Sequence, residues 1–356
     1  MEKQLIQLVE ENREHVIALR RHFHMHPELG GEEFDTQQKI LEELKALGLT
    51  PRASGGTGVI ADIRGGRPGR TVAIRADIDA LPIQDEIDQP YRSQIAGRCH
   101  ACGHDGHTAM LLGLARVFTA LRSELPGTIR LLFQPSEERF PGGAHLLIAD
   151  GALDGVDAVL GAHLWQPVPV GEIGIAHGPL MASPGEFAIT VQGRGGHGSM
   201  PHQTVDPIYV GAQLVTALRS IVGNDISSND RAVISFGAFQ AGEVFNIIPD
   251  TATLKGTIRI FSTEVRDRIL ERFHQICKGV CLAAGADYSL YTNFGFPAVI
   301  NHPAVSAVLA VSGREALGEE GVRIIDPVMG GEDFSRYQEV VPGAFVFIGN
   351  GATGTP

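Results

Sequence analysis

The sequence has 356 residues, with 43% hydrophobic and 20% charged side chains and a formal net charge of −12. This length and composition are typical of a globular protein with two domains. The acidic balance, without a basic face, excludes nucleic acid as an expected partner. No window approaches about 18 continuous apolar residues, and the amino terminus lacks the apolar core of a signal peptide, so we expect no membrane partner and a cytoplasmic location.

The predicted elements up to residue 162 alternate between helices and strands. Apolar residues recur at helical spacing up to Pro27, and apolar runs of strand length then alternate with further helices. This alternation predicts the α/β class, with a mixed sheet covered by helices. The predicted strands are 58–63, 71–76, 128–133 and 156–162. The predicted helices are 35–47, before the first strand, and 106–121 and 144–149 between later strands.

The pattern changes after residue 178. The order strand, helix, strand, strand, helix, strand between 187 and 291 predicts an α+β unit of the ferredoxin-like type. A helix from Pro303 and a strand over 345–348 then resume the first pattern. We therefore predict a discontinuous first domain, 1–178 and 291–356, interrupted by a second domain over 179–290.

Acidic and histidine side chains follow several predicted strands, at the points where the chain leaves the sheet. Asp77 and Asp79 follow one strand, Glu137 and Glu138 follow another, and His163 follows a third. Ligands of open α/β sheets bind at the carboxyl ends of the strands, so one topology brings these side chains to the same edge. We expect a metal site there. The simpler alternatives are loop carboxylates that cap amides or face water, and a histidine satisfied in the core.

The densest group of potential ligands is Cys-His-Ala-Cys-Gly-His-Asp-Gly-His, residues 99–107. Thiols, imidazoles and a carboxylate at this density suit Zn²⁺, Mn²⁺ or a similar divalent ion. We favour Cys102 and His104 as metal ligands and a non-ligand role for Cys99. The alternative is a redox dithiol formed by the Cys-x-x-Cys pair, which leaves the adjacent histidine and aspartate unexplained.

The paired glutamates allow a division of roles. One of Glu137 and Glu138 would coordinate the metal, and the other would act as general base on water that the metal activates. Asp77 and Asp79, two residues apart at a strand end, turn their carboxylates to one side.

The second domain carries its own candidates. His197 lies in Gly-Gly-His-Gly-Ser-Met-Pro-His, residues 195–202, and could donate a hydrogen bond to a developing oxyanion. Arg259 near a strand end could bind a substrate carboxylate with its guanidinium fork. Asn246, between two strands, is a possible polar contact. A flexible loop, a surface ion pair and a turn residue are the respective alternatives.

Several motifs together resemble the dinuclear metallo-amidohydrolases and metallopeptidases of the aminoacylase and carboxypeptidase type. The resemblance is to the branch of N-acyl-amino-acid amidohydrolases, hippurate hydrolases and auxin-conjugate hydrolases. It covers nearly the whole chain in the same order. The motifs that carry it are RRHFHMHPEL (20–29), RADIDALP (75–82), CHACGHDGH (99–107), QPSEE (134–138), GGHGSMPH (195–202) and GGEDF (330–334).

The resemblance implies a role for each candidate. It implies a catalytic first domain and a second domain that acts as lid and dimerisation unit. It makes Glu137 the general base, with Asp79 supporting the metal site, whereas Asp77 falls where more distant relatives carry a metal-binding histidine. The implied metal ligands are Cys102, His104, Glu138 and His163.

For the lid, the resemblance implies contacts with the substrate. His197 matches the histidine that reaches the active site of the partner subunit in dimeric relatives and polarises the scissile carbonyl. Asn246 and Arg259 match positions that hold the substrate carboxylate. Relatives usually carry another metal-binding histidine after the segment that matches 349–356. Either the protein continues past Pro356 or one metal position lacks a ligand.

The resulting prediction is a metal-dependent hydrolase that cleaves the amide bond of N-acyl amino acids, with acetyl, benzoyl or similar acyl groups. Its expected cofactors are divalent ions, two per subunit, drawn from Mn²⁺, Zn²⁺, Co²⁺ and Ni²⁺. Its expected partners are the small-molecule substrate and further copies of the chain, as a homodimer or homotetramer through the lid. The alternatives are a carboxypeptidase or dipeptidase, a redox dithiol protein and a non-catalytic metal-binding protein.

Overall fold

The structure is a computed structural model and describes residues 2–351. The chain forms two compact units. The first unit contains the chain up to Leu180, Val299–Pro327 and the residues from Asp333 onward, and the second unit contains Met181–Ala298 and Val328–Glu332. Among the described residues, no helix combines the length and apolar character needed to cross a membrane.

Strands and helices alternate along most of the chain. The strands are β1 (Arg52–Ser54), β2 (Gly58–Arg64), β3 (Arg67–Asp77), β4 (Pro126–Gln134), β5 (Ala158–Pro169), β6 (Ile173–Ile175), β7 (Pro179–Met181), β8 (Ser183–Gln192), β9 (Gly196–His197), β10 (Ala232–Ala241), β11 (Ile247–Ile248), β12 (Thr251–Ile260), β13 (Asp287–Phe294), β14 (Val299–Ile300), β15 (Val322–Ile324) and β16 (Gly343–Gly351). The α-helices are α1 (Glu2–Met25), α2 (Phe34–Ala46), α3 (His104–Ala120), α4 (Ala144–Ala149), α5 (Pro207–Asn224), α6 (Thr263–Ala284), α7 (Pro303–Leu317) and α8 (Ser335–Gln338). Short 3-10 turns cover Pro201–Gln203 and Glu319–Gly321.

The first unit is built on an eight-stranded mixed sheet with the order β1-β2-β4-β3-β5-β16-β6-β15. The central strands β4, β3, β5 and β16 are parallel, whereas β2 is antiparallel to β4 and β6 is antiparallel to β16. Helices α1, α2 and α3 cover this sheet with apolar side chains such as Phe23, Ile40 and Leu112, which form a core with Phe133 of β4. The predicted α/β class with a helix-covered mixed sheet is confirmed.

The second unit is a four-stranded antiparallel sheet with the order β10-β12-β8-β13. In chain order its elements run β8, α5, β10, β12, α6, β13, which is the ferredoxin-like arrangement. Alternate residues of the strands face the two helices, and Phe187 of β8 meets Phe273 of α6 with ring centroids 5.1 Å apart. The ferredoxin-like prediction is therefore confirmed.

The predicted organisation differs from the structure in four places. The boundary between 290 and 291 falls inside β13, which pairs with β8 as far as Phe294 and so belongs wholly to the second unit. Residues 328–332 also join the second unit, because Val328 forms a bridge with Met181. The helix predicted from residue 106 begins at His104. The strand predicted to end at 162 continues to Pro169, because β16 pairs with it as far as Trp165 and again at Pro169.

Candidate metal centre

The carboxyl ends of the central parallel strands bring the predicted site residues of the first unit together. Asp77, the last residue of β3, lies in register with Gln134, the last residue of β4. His163 lies within β5 rather than after it, in register with Phe347 of β16. The segment after β4 then supplies the two glutamates, and the start of α3 supplies a thiol and an imidazole at the same edge.

Cys102, His104 and His163 place one ligand atom each within 4.8 Å of one another. The Cys102 Sγ lies 3.3 Å from His163 Nε2. A tetrahedral ion with bonds of about 2.3 Å to sulfur and about 2.0 Å to nitrogen separates such atoms by about 3.5 Å. His163 Nδ1 donates to the Leu164 backbone oxygen at 2.6 Å. Nε2 is therefore the unprotonated nitrogen, and its lone pair lies beside the thiol. The spacing and tautomer therefore fit a shared cation.

His104 provides an independent test of that fit. Its Nδ1 donates to the backbone oxygen of Asp79 at 2.9 Å. Its Nε2 is buried and has no hydrogen-bond partner among the described residues. The nearest Glu138 oxygen lies 4.0 Å from this nitrogen. A buried polar atom without a partner is costly, and a cation between the imidazole and the carboxylate removes that cost.

The Asp79 carboxylate holds the glutamate segment in place. Its two oxygens accept the backbone N–H groups of Glu137 and Glu138, each at 2.9 Å. The preceding Ser136 has φ 58°, a left-handed conformation, and its N–H donates to the buried Glu33 at 2.8 Å. This turn directs both glutamate side chains toward His104, whose ligand atom lies within 4.8 Å of theirs.

A buried charge network that the sequence analysis did not identify lies beside the ligands. The Arg75 guanidinium contacts Asp77 at 2.7 Å and Asp333 at 2.9 Å, with all three side chains fully buried. Asp77 in turn binds His107 Nδ1 at 2.5 Å and lies 3.5 Å from His104 Nε2. Asp77 is thus tied to the positions of both histidines. The available signal was the arginine two residues before Asp77 and the GGEDF motif that contains Asp333.

The protonation states of the cluster also suit a cation. Burial raises the pKa of the Cys102 thiol to about 11 and lowers the pKa of the His163 imidazole to about 3. Burial opposes the charged form of His104, yet the carboxylates of Asp77 and Asp79 hold its pKa well above the usual value. Without a cation, a proton therefore occupies both Cys102 and His104, and a metal ion would take the place of those protons.

Two of the three predicted residues of the second unit, His197 and Asn246, lie close to each other. His197 of β9 pairs with Ile247 of β11, directly after Asn246, and both predicted side chains are exposed. His197 Nδ1 accepts from the Ser199 hydroxyl at 2.8 Å and from its N–H at 3.1 Å, so Nε2 carries the proton and is free to donate. The expected further ligand after 349–356 lies outside the described residues.

Arg259, the penultimate residue of β12, is half-buried, and burial lowers its pKa. Within residues 2–351 its guanidinium has no hydrogen bond or ion pair. A half-buried guanidinium without a counter-ion retains its full capacity to bind a carboxylate.

The first unit has a mixed α/β sheet with thiol, imidazole and carboxylate ligands at its carboxyl edge, and the same chain carries a ferredoxin-like unit. This combination indicates the class of two-domain hydrolases. The profile of Peptidase family M20/M25/M40 matches residues 73–356. The chain belongs to this family and is therefore an enzyme of the hydrolase class.

Individual relatives agree with that assignment over most of their length. The chain is similar to an N-acyl-L-amino acid amidohydrolase of Geobacillus stearothermophilus, with 46% identity over 301 residues, 84% of this chain and 81% of the relative. It is 38% identical over 347 residues to thermostable carboxypeptidase 1 of Saccharolobus solfataricus, covering 96% of this chain and 87% of the relative. A solved dinuclear metal-binding peptidase of family M20 from Bacillus subtilis has 37% identity and a TM-score of 0.84, covering 96% and 89% of the two chains.

Proposed function

We propose that the protein is a metal-dependent amidohydrolase that releases the amino acid from N-acyl amino acids. The observation that carries this proposal is the convergence of Cys102, His104, Glu138 and His163 at one edge of the sheet beside Glu137, with the two histidines buried. The amidohydrolase relative at 46% identity supports the acyl-amino-acid substrate class.

Cys102, His104, Glu138 and His163 would hold the metal, which in this donor set is Zn²⁺, Mn²⁺, Co²⁺ or Ni²⁺. We propose two divalent ions per subunit, in keeping with the dinuclear relative from Bacillus subtilis. Bound divalent ions supply Lewis acidity, which polarises a carbonyl and lowers the pKa of water to about 7.

The protein's own residues perform the proton transfers. Glu137, held by Asp79 through its backbone N–H, would accept a proton from the attacking water and deliver it to the leaving amine. His197 would donate a hydrogen bond from Nε2 to the carbonyl oxygen as negative charge develops there. Arg259 and Asn246 would bind the substrate carboxylate. The guanidinium of Arg259, which has no ion pair within residues 2–351, supports this role.

The general base is tested by Glu137→Gln. The amide keeps the size of the side chain but cannot accept and return a proton, so we expect kcat to fall by at least about 10²-fold. Metal content, measured by elemental analysis, should stay unchanged. Glu124→Gln, an exposed glutamate of the same unit, serves as the control and should keep full activity. Near-normal turnover by Glu137→Gln would refute the role.

The substrate class is tested with a panel of metal-supplemented assays. We expect N-acetyl and N-benzoyl amino acids to be cleaved with higher kcat/KM than dipeptides and longer peptides. The same acyl amino acids with the carboxylate replaced by a carboxamide should be poor substrates, because Arg259 then lacks an anion. A clear preference for peptides would support the carboxypeptidase alternative, which the Saccharolobus relative favours.

We also propose that the chain associates through its second unit. Strand β10 lies at an edge of the sheet and presents unpaired backbone groups. The loop after it exposes Val244 and Phe245, and the start of α5, which packs on β10, exposes Ile208 and Tyr209. A continuous edge with apolar neighbours supports a homodimer, or a tetramer built from it, through this side of the unit.

A further inference from the structure

A second group of metal-ligand side chains lies in the first unit, outside the candidate metal centre. His24 lies near the end of α1, Asp85 lies in the segment after β3, and Cys99 precedes α3. One ligand atom of each lies within 4.8 Å of the other two, and all three residues are buried. The proposed hydrolysis uses none of them.

The geometry around His24 is that of a metal-binding imidazole. Its Nδ1 hydrogen-bonds the Asp105 carboxylate at 2.7 Å, and its Nε2 lies 3.3 Å from an Asp85 oxygen. An ion with bonds of about 2.0–2.1 Å to nitrogen and oxygen separates those ligand atoms by about 3.3 Å in tetrahedral geometry. A carboxylate on the opposite ring nitrogen is the arrangement that fixes the tautomer of a metal-ligating histidine.

The segment after β3 holds the Asp85 carboxylate in a fixed orientation. Its oxygens accept the backbone N–H groups of Ile87 at 3.1 Å and Ser93 at 2.8 Å. The side-chain amide of Gln89 lies 3.4 Å from His24 Nε2. The nitrogen and oxygen of an amide exchange places by rotation about one bond, so the Gln89 oxygen can serve as a fourth ligand.

The alternative to a cation site at this group is an ordinary network of ion pairs. A protonated His24 between Asp85 and Asp105, with Arg20 at 2.9 Å from Asp105, would balance these charges without a metal. That arrangement assigns no role to the Cys99 sulfur, which lies within 4.8 Å of the ligand atoms of His24 and Asp85 and would bind a cation there. Burial and Asp85 both raise the pKa of this thiol.

The next residue, His100, adds an independent observation. It is buried, and neither ring nitrogen has a hydrogen-bond partner in the part of the chain that the structure describes. Its electrostatic neighbours include Asp105 and His24. Within residues 2–351, a buried imidazole next to Cys99 in the sequence therefore remains without a hydrogen-bond partner near Asp105 and His24.

We propose that His24, Asp85 and Cys99 form a structural site for Zn²⁺ or a similar thiophilic divalent ion, separate from the catalytic ions. The ion replaces the thiol proton and joins α1, the segment 85–93 and the approach to α3. A structural metal contributes its binding free energy directly to folding. The site does not depend on the proposed hydrolase activity.

The test uses the full chain with the candidate metal centre disabled by Cys102→Ser and His163→Ala. This protein, stripped with chelator and titrated with Co²⁺ alone, should bind one equivalent and show thiolate-to-cobalt absorption. Adding Cys99→Ser should abolish that absorption and weaken Co²⁺ binding at least tenfold. Adding Cys277→Ser, a buried thiol of α6 far along the chain, should change neither. Absence of the absorption before Cys99 is replaced, or its persistence afterwards, overturns the proposal.

A second measurement needs no substitution. Wild-type crystals grown with Zn²⁺ as the sole added metal should show an anomalous peak between the side chains of His24, Asp85 and Cys99. A peak at Cys102 and His163 with none at this group, or no peak at all, overturns the structural site. Of these two contrary outcomes, only the first, a peak at Cys102 and His163 alone, is compatible with the proposed hydrolase.

Discussion

Arg75 is a fully buried cation whose partners are two buried carboxylates, Asp77 and Asp333. Gln134 completes the network by accepting from Arg75 Nε at 2.8 Å and donating to Asp333 at 2.9 Å. The guanidinium keeps the pKa of Asp77 well below its usual range although burial opposes ionisation. Arg75 therefore preserves the charged carboxylate that orients His107 beside the metal centre.

At this scale we predict that Arg75→Met lowers the free energy of unfolding by about 3–5 kcal/mol, because it leaves buried carboxylates without a counter-charge. Urea unfolding followed by circular dichroism measures the change. Arg323→Met is the matched control, since Arg323 is exposed and pairs with Glu172 on the surface. That change should cost less than about 1 kcal/mol. Similar losses for the two variants would contradict a special role for the buried pair.

At the scale of elements, the start of α3 determines how two proposed ligands meet. Gly103 precedes the helix with φ 93°, a left-handed conformation that lets the chain turn between Cys102 and His104. His104 is thereby the first residue of the helix, one turn before Thr108, whose hydroxyl donates to the His104 backbone oxygen at 2.9 Å. The ligand spacing of this motif depends on that turn.

We predict that Gly103→Ala lowers stability by about 1–2 kcal/mol, the cost of a left-handed conformation for a residue with a side chain. A Cβ at this position meets nothing closer than Leu164 at 3.5 Å, so the cost is conformational rather than steric. Weaker metal retention on dialysis against chelator should accompany it. Gly279→Ala within α6, where a Cβ meets nothing within 4 Å, should instead stabilise by about 0.5–1 kcal/mol. Equal effects of the two changes would argue against the strained turn.

For the whole molecule, the proposed association through the second unit has a direct consequence. Phe245, fully exposed in the loop after β10, should be buried between subunits. We predict that Phe245→Asp weakens self-association at least tenfold, measured by analytical ultracentrifugation across a concentration series. Leu282→Asp is the control, because Leu282 is also exposed but lies on α6, which packs on β13 at the other edge of the sheet. An unchanged association for Phe245→Asp would exclude this interface.

Much of the secondary structure was predictable because it is encoded by local periodicity. The strand over 128–133 and the helix over 144–149 were both visible as apolar patterns, and the structure places β4 and α4 there. The strand end at 162 was wrong because Leu164 and Trp165 owe their strand conformation to pairing with β16, more than 180 residues later. The local sequence around residue 162 does not indicate pairing with so distant a strand.

The sequence by itself determined which chemistry was available, because the Cys-to-His run at 99–107 and the paired glutamates place the ligand types within short segments. Only the tertiary structure decided how those groups are used. Asp79 reaches the N–H groups of Glu137 and Glu138, and Arg75 meets Asp333 across 258 positions. Such contacts arise when parallel strands align their carboxyl ends, and that alignment is a property of the folded sheet rather than of any one segment.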